Sequence, residues 1–171
     1  MSARTRRVRA ALDLSTPRNR RLRLGVHYDP EAFGRFSEAI ARFIDENPEF
    51  LYVPSGEVLK VAADTGAIPY DVPNVELGHH GDRCSFDAFI AKYELDDPAL
   101  NKLALIVRAA DCGQPQLAKE ASGLLAISQG LSLNFADDHE MLKAGMVMYD
   151  ALYAWCADTP LKKVARLLGL K

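Results

Sequence analysis

Apolar residues along this chain recur mostly three and four positions apart, the period of helices packed on a core, and gather into a short continuous run of strand formers early in the chain. Pro30 sits behind Asp29 where a first helical turn tolerates proline, and Phe33, Phe36, Ile40, Phe43 and Ile44 follow at helical spacing. This helix is predicted to end near Asp45, ahead of Asn47-Pro48. Phe50-Leu51-Tyr52-Val53 is a run of strand formers closed by Pro54. Ser55 then caps a predicted helix whose apolar face is Val58, Leu59 and Ala62 and which stops at Gly66. Ile68 to Leu77, interrupted by Pro69 and Pro73, can be extended only as broken or edge strands.

From Ser85 onward the pattern is helical almost to the end. Ser85 is predicted to cap Phe86 to Tyr93, and Asp96 or Asp97 precedes Pro98 at the start of a helix running to about Ala110. After Gly113 and Pro115 another helix is predicted over Gln116 to Gln129. Asp137-Asp138-His139-Glu140 reads as a helix N-terminus whose acids complement the dipole. Leu142, Met146, Tyr149, Tyr153 and Cys156 then form one stripe, with Met148, Leu152 and Trp155 beside it. Such a broad apolar face predicts the most buried helix of the chain. A short last helix, Leu161 to Leu168, follows Pro160. The expected fold is mainly α with a small β element (α+β), in one compact domain over residues 29–171. Residues 1–28, broken by Pro17, are expected to be a disordered basic arm.

Composition narrows the setting. A chain of 171 residues, 49% hydrophobic and 26% charged, has the make-up of a soluble globule with room for a core. Cys84, Cys112 and Cys156, odd in number and far apart, make no disulfide framework, which fits reduced thiols in the cytoplasm. No apolar run approaches the ~20 residues of a membrane helix, and Leu103 to Ala110 is interrupted by Arg108. Neither Arg pair, at 6–7 or 20–21, is followed by a hydrophobic stretch with a cleavage site, so neither an export signal nor membrane insertion is expected.

Net charge, −2, hides an asymmetry. Eight arginines (Arg4, Arg6, Arg7, Arg9, Arg18, Arg20, Arg21 and Arg23) stand in the first 25 residues against Asp13 alone. Such an arm can bind nucleic acid through phosphates, or lie on the acidic remainder of the protein. No recognised nucleic-acid motif accompanies it.

The candidate chemistry concentrates in Gly78-His79-His80-Gly81-Asp82-Arg83-Cys84. Imidazole, thiol, carboxylate and guanidinium together suit a metal ion, an oxyanion or a redox event. Successive side chains diverge, so one of His79 and His80 can ligate, with Cys84 as second donor. Imidazole plus thiolate suits zinc, copper or iron, with further ligands from distant segments. His139, with Asp137 or Asp138, is the obvious distant donor. Asp150 lies about 16 Å further along the same helix and cannot share that ion. If buried, it needs a partner such as Arg83 or Arg108. The plainer reading is a tight turn whose histidines bond nearby carbonyls, with Asp137-Asp138 capping a helix and His139 exposed in its first turn. Cys112 and Cys156 read as packing residues.

Several strings resemble a known family. They are Arg42-Phe43-Ile44-Asp45 with Glu49-Phe50-Leu51-Tyr52-Val53-Pro54, then Thr65-Gly66-Ala67-Ile68-Pro69 and Val75-Glu76-Leu77-Gly78-His79-His80. Cys84-Ser85-Phe86, Asp97-Pro98-Ala99-Leu100, Asp137-Asp138-His139 and Tyr149-Asp150-Ala151-Leu152-Tyr153-Ala154-Trp155-Cys156 complete the set. In this order they resemble the C-terminal domain of the bacterial chromate resistance protein ChrB, from about residue 43 to 156. The resemblance implies a role in chromate resistance, as a chromate-responsive regulator or an accessory factor for chromate efflux. Phe36-Ser37-Glu38 stands where the family usually carries Cys-Pro-Trp. Residues 16–43 resemble instead the cytoplasmic lead-in of an uncharacterised bacterial membrane-protein family, which predicts a gene fusion with its junction near 39–46.

Chromate, a tetrahedral dianion, calls for donors. Arg83, a protonated His79 or His80, and the amides of the helix opened by Ser85 can supply them. Cys84 lies just before that helix, where the dipole would favour thiolate and make it the candidate redox thiol. Glu76 and Asp82 oppose a dianion unless they face away. The expectation is a chromate-resistance accessory or sensor protein that binds a metal ion or oxyanion at this loop. A metal- or thiol-dependent redox enzyme, or an inactive fusion that retains the fold, is the alternative.

Overall fold

A computed structural model of the chain describes residues 23–27, 44–45, 48–158 and 167. Three strands, β1 (Arg23–His27), β2 (Glu49–Val53) and β3 (Ile68–Tyr70), form a parallel sheet in the order β2-β1-β3. Leu24 pairs with Phe50 on one side and with Ile68 on the other. Parallel strands need a long crossover, and the one that carries the chain from β2 past β1 to β3 is helical. It comprises a single 3-10 turn, Ser55–Glu57, and α1 (Val58–Thr65), which packs on β1 and β3. Within α1, Val58 and Ala62 are buried as expected, whereas Leu59 is 57% exposed. Ser55 lies in the 3-10 turn rather than at the cap, and the helix ends at Gly66.

Four further helices complete the described fold: α2 (Ser85–Lys92), α3 (Pro98–Asp111), α4 (Ala121–Asn134) and α5 (Asp138–Ala157). The mainly α, α+β expectation holds. α3 packs against α2, α4 and α5 and is the centre of the core. Leu100, Leu103, Ile106 and Val107 are each at most 2% exposed. Its start follows from local chemistry: the Asp97 carboxylate accepts from the amides of Ala99 and Leu100, and Pro98 occupies the first turn, where its missing N–H costs nothing. Around α3 gather Tyr70, Leu77, Phe86, Phe89, Tyr149 and Cys156. Full burial of a ring such as Phe89 stabilises by about 1.5–3 kcal/mol.

Several expectations are corrected. Residues 23–27, placed in the basic arm, form the central strand of the sheet. The helix predicted from Gln116 begins at Ala121, because Pro115–Leu117 forms a 3-10 turn and Ala118 is extended. α5 is not the most buried helix. Tyr149 and Cys156 of its predicted stripes are buried, but Val147 is 71% exposed, and Trp155 lies at the surface with Lys102 Nζ 3.7 Å from its ring centroid. α5 packs mainly against α3 and α4. Residues 1–22, the helix predicted after Pro30 (save Ile44 and Asp45), and the helix predicted over 161–168 (save Leu167) lie outside the described residues. Among the described residues no helix is long and apolar enough to cross a membrane.

Candidate metal centre

The segment between β3 and α2 is folded by backbone constraints that fix where His79 points. Asp71 leaves β3 with φ 57°, a left-handed conformation that aspartate tolerates better than most residues. Its amide donates to Leu77 O at 3.0 Å, so the chain returns to the strand end after a short excursion. Gly78 then passes against that excursion. A Cβ there would meet Val72 O at 2.6 Å and Val75 O at 3.2 Å, so only glycine fits. Two residues on, His80 and Arg83 exchange backbone hydrogen bonds of 3.0 and 3.1 Å around a two-residue turn opened by Gly81 at φ 64°. Lys92 of α2 pairs with Glu76 and ties the loop to the helix behind it.

His79 and His80 diverge as expected. The His80 ring is 2.9 Å from Glu76 O through Nε2, the plainer of the two readings for that residue. His79 turns towards the body of the protein. Its Nε2 lies 3.3 Å from Asp71 Oδ1 and 3.4 Å from Asp111 Oδ2. The two carboxylates are nearly covered, at 5% and 11% exposure, while the imidazole between them is half open to solvent. Ser85, buried at the start of α2, donates its hydroxyl to the same Asp71 oxygen.

Asp111 ends α3 and Cys112 is its C-cap. One ligand atom each from His79, Asp111 and Cys112 falls within 4.8 Å of the others, the spacing of groups that can close on a metal ion. Among the described residues this is the His, Cys, Asp or Glu group so gathered. The negative end of the α3 dipole points at the same place. Two carboxylates and a helix C-terminus make the locus favourable to a cation and unfavourable to a dianion.

The other sequence candidates lie elsewhere or carry the wrong electrostatics. Cys84 is 1% exposed and forms the N-cap of α2, the position expected for Ser85. Its thiol donates to Asp87 Oδ2 at 3.3 Å. Burial first, and the Asp87 carboxylate second, push this thiol up to about 12. The depressed, thiolate-forming Cys84 expected from the helix dipole is therefore reversed in sign. Arg108, suggested as a partner for Asp150, is held by Asp87 through Nε at 2.8 Å and Nη2 at 2.5 Å, and Asp150 is exposed. Arg83 is exposed at the end of its turn.

His139 is exposed and meets the Tyr52 ring edge-on, with centroids 4.7 Å apart. Asp137 caps α5 by accepting from Glu140 N at 2.9 Å, and burial raises the Asp138 carboxyl, with Asp137 adding to the effect. Neither His139 nor Asp138 belongs to the group around His79. The Arg-rich residues 4–22, candidates for nucleic-acid contact, lie outside the described residues.

Asp111 does not stand out in the sequence and Cys112 reads there as a packing residue, although a signal exists. A carboxylate and a thiol stand side by side at a helix end, before Gly113. Asp71 gave no such signal, because its approach to His79 depends on a left-handed residue.

All five residues of this locus, from Asp71 to Cys112, fall within the stretch matched by a sequence profile described as ChrB, C-terminal domain, which covers residues 39–156. The chain belongs to the ChrB C-terminal domain family. Protein ChrB of Cupriavidus metallidurans is 32% identical over 115 residues, which cover 67% of this chain and 34% of that protein. The chain thus matches about a third of the length of its ChrB relative. No solved structure matches the chain. The ChrB-matched stretch begins at residue 39, so β1 stands upstream of it.

Proposed function

We propose that this chain is a chromate-resistance protein whose ChrB-type domain binds a divalent transition metal at His79, Asp111 and Cys112. The observation that carries the reading is the approach of these three ligand atoms to within 4.8 Å of one another. Imidazole, carboxylate and thiolate together suit zinc or iron better than magnesium or calcium. The ion belongs to the Gly78–Cys84 loop through His79, while its other ligands come from the end of α3. Chromate is disfavoured at this locus, since a dianion would face Asp71, Asp111 and the α3 C-terminus. With Cys84 buried and protonated, a thiol-dependent enzyme built on that residue is disfavoured too. The reading that remains is an accessory or sensor domain in which an ion fixes the loop against α3.

Metal analysis of the purified full chain, after loading with zinc or iron(II) and desalting, tests this. One ion per chain is expected, lost in His79→Ala and Cys112→Ser and kept in His80→Ala and Cys84→Ala. Stoichiometric metal that survives both of the first two changes would sink the assignment. The biological half is tested in a chromate-sensitive host: the intact gene should raise the tolerated chromate concentration and the His79→Ala gene should not.

A further inference from the structure

α4 carries its side chains in the reverse of the usual order. Its 14 residues include no charged one, in a chain whose residues are 26% charged. Ser128 is buried, at 2% exposure, while Ile127 and Leu133 stand 53% and 88% exposed. A surface helix ordinarily turns its polar residues outward. Gly123, Ala126, Gly130 and Leu133 fall on the outer side of α4, spaced three, four and three residues apart, with Ile127 at the flank. That is the spacing of the seam between paired helices. Glycine weakens a helix interior relative to alanine, and a Cβ at Gly123 or Gly130 would meet nothing within 4 Å. Among the described residues, then, nothing requires a glycine at either position.

We infer that this face of α4 is a docking surface for a second copy of the chain, the two α4 helices pairing antiparallel about a twofold axis level with Ser128. The face is self-complementary in that arrangement. Residues 123 and 133, and likewise 126 and 130, are centred on 128, so one register sets Leu133 of each copy over Gly123 of the other and Ala126 over Gly130. Ile127, next to the axis, meets its own counterpart. A parallel pair would instead set glycine against glycine and Leu133 against Leu133, which leaves gaps. Charge favours the same occupant. Two identical faces repel wherever they carry charge, and α4 carries none. One helix pair is small beside the ~1,600 Å² of a standard interface, so a dissociation constant in the micromolar range is expected.

Sedimentation equilibrium of the full chain over a range of concentrations tests the inference. The wild type should pass from monomer to dimer, and Leu133→Lys should weaken the dimer by about 10-fold or more, as loss of a central apolar anchor does. Gly130→Gln should weaken it too, yet leave the dilute monomer at least as stable, since glutamine is the better helix former. A residue that served only the fold of its own chain would not separate the two readouts in this way. Orientation is read by oxidation in a Cys112→Ser background. Gly123→Cys mixed with Leu133→Cys should form a disulfide between copies, and neither variant alone should do so. Like positions lie about 15 Å apart along an antiparallel pair, beyond the reach of a disulfide.

A wild-type chain that stays monomeric at millimolar concentration would overturn the inference whatever the variants do, so the test survives a variant that fails to fold. A dimer unmoved by Leu133→Lys and Gly130→Gln would overturn the role of α4. Cross-linking of each cysteine variant with itself would overturn the antiparallel arrangement. Binding of a monomeric wild type to phosphatidylcholine vesicles, lost in Leu133→Lys, would assign the face to lipid instead.

Discussion

Arg108 grips Asp87 with two parallel hydrogen bonds, one from Nε and one from Nη2, and through that carboxylate reaches Cys84. Asp87 is 7% exposed and also accepts from the Cys84 amide at 3.1 Å, which closes the N-terminus of α2. One side chain thus joins α3 to α2 and caps the latter. Removing either partner strands the other. Asp87→Ala should cost about 2–4 kcal/mol, less than a wholly buried pair because Arg108 keeps some contact with water. Urea denaturation measures it, and a double-mutant cycle with Arg108→Ala should show strong coupling.

Cys84 and Cys112 should differ in reactivity. Cys84 is sealed and its thiol raised to about 12, whereas Cys112 is half-buried at the proposed metal site. Alkylation of the metal-free protein near pH 8 should modify Cys112 well before Cys84, and bound metal should protect Cys112. Peptide mapping after timed quenching distinguishes them.

The same raised value has a consequence for stability. A thiol that holds its proton more firmly when folded stabilises the native state fully below its unfolded pKa of about 8.5. That contribution is lost as pH rises from there towards 12. Urea midpoints of the wild type should fall over this window more steeply than those of Cys84→Ala. Equal slopes would contradict the assignment.

Gly78→Ala should be destabilising by about 1–3 kcal/mol, because its methyl group would run into the backbone oxygen of Val72. It should also displace His79 and weaken metal binding. Gly130→Ala makes the contrasting case. A Cβ there meets nothing within 4 Å in the middle of α4, and alanine should stabilise by about 0.5–1 kcal/mol. Thermal melts of the two variants should move in opposite directions.

Asp97→Ala should cost about 1–2 kcal/mol through loss of the α3 cap, with more from the Tyr153 hydroxyl that donates to Oδ2 at 3.2 Å. Asp97→Asn should recover most of the loss, since its amide oxygen can still accept from the Ala99 and Leu100 amides. Chemical denaturation of the pair checks this.

What could be read in advance was what neighbouring residues decide among themselves. Asp97-Pro98 announces the start of α3, Asp137 announces α5, and the divergence of His79 from His80 follows from backbone geometry alone. One residue of the candidate site was legible for the same reason: the loop points to His79. The rest was not, because Asp71, Asp111 and Cys112 come to His79 through tertiary folding. Cys84 misled because its position before a helix suggests a thiolate, whereas burial and Asp87 outweigh the dipole. β1 misled in another way. Leu24 and Val26 do alternate with Arg23, Gly25 and His27, but the surrounding arginines hide the period.

The position of β1 makes the boundary of the folding unit differ from the boundary of kinship. Similarity to ChrB begins at residue 39, yet β2 and β3 hydrogen-bond to residues 23–27 and lie on opposite sides of them. Without that strand they would face each other across a gap of about 10 Å, two strand spacings, with no backbone partner. A polypeptide trimmed to the family match should expose two sticky edges and precipitate, whereas one that begins before Arg23 should stay dispersed. Residues 23–27, which lie outside the family match, are the keel on which the sheet of the ChrB-type domain is laid.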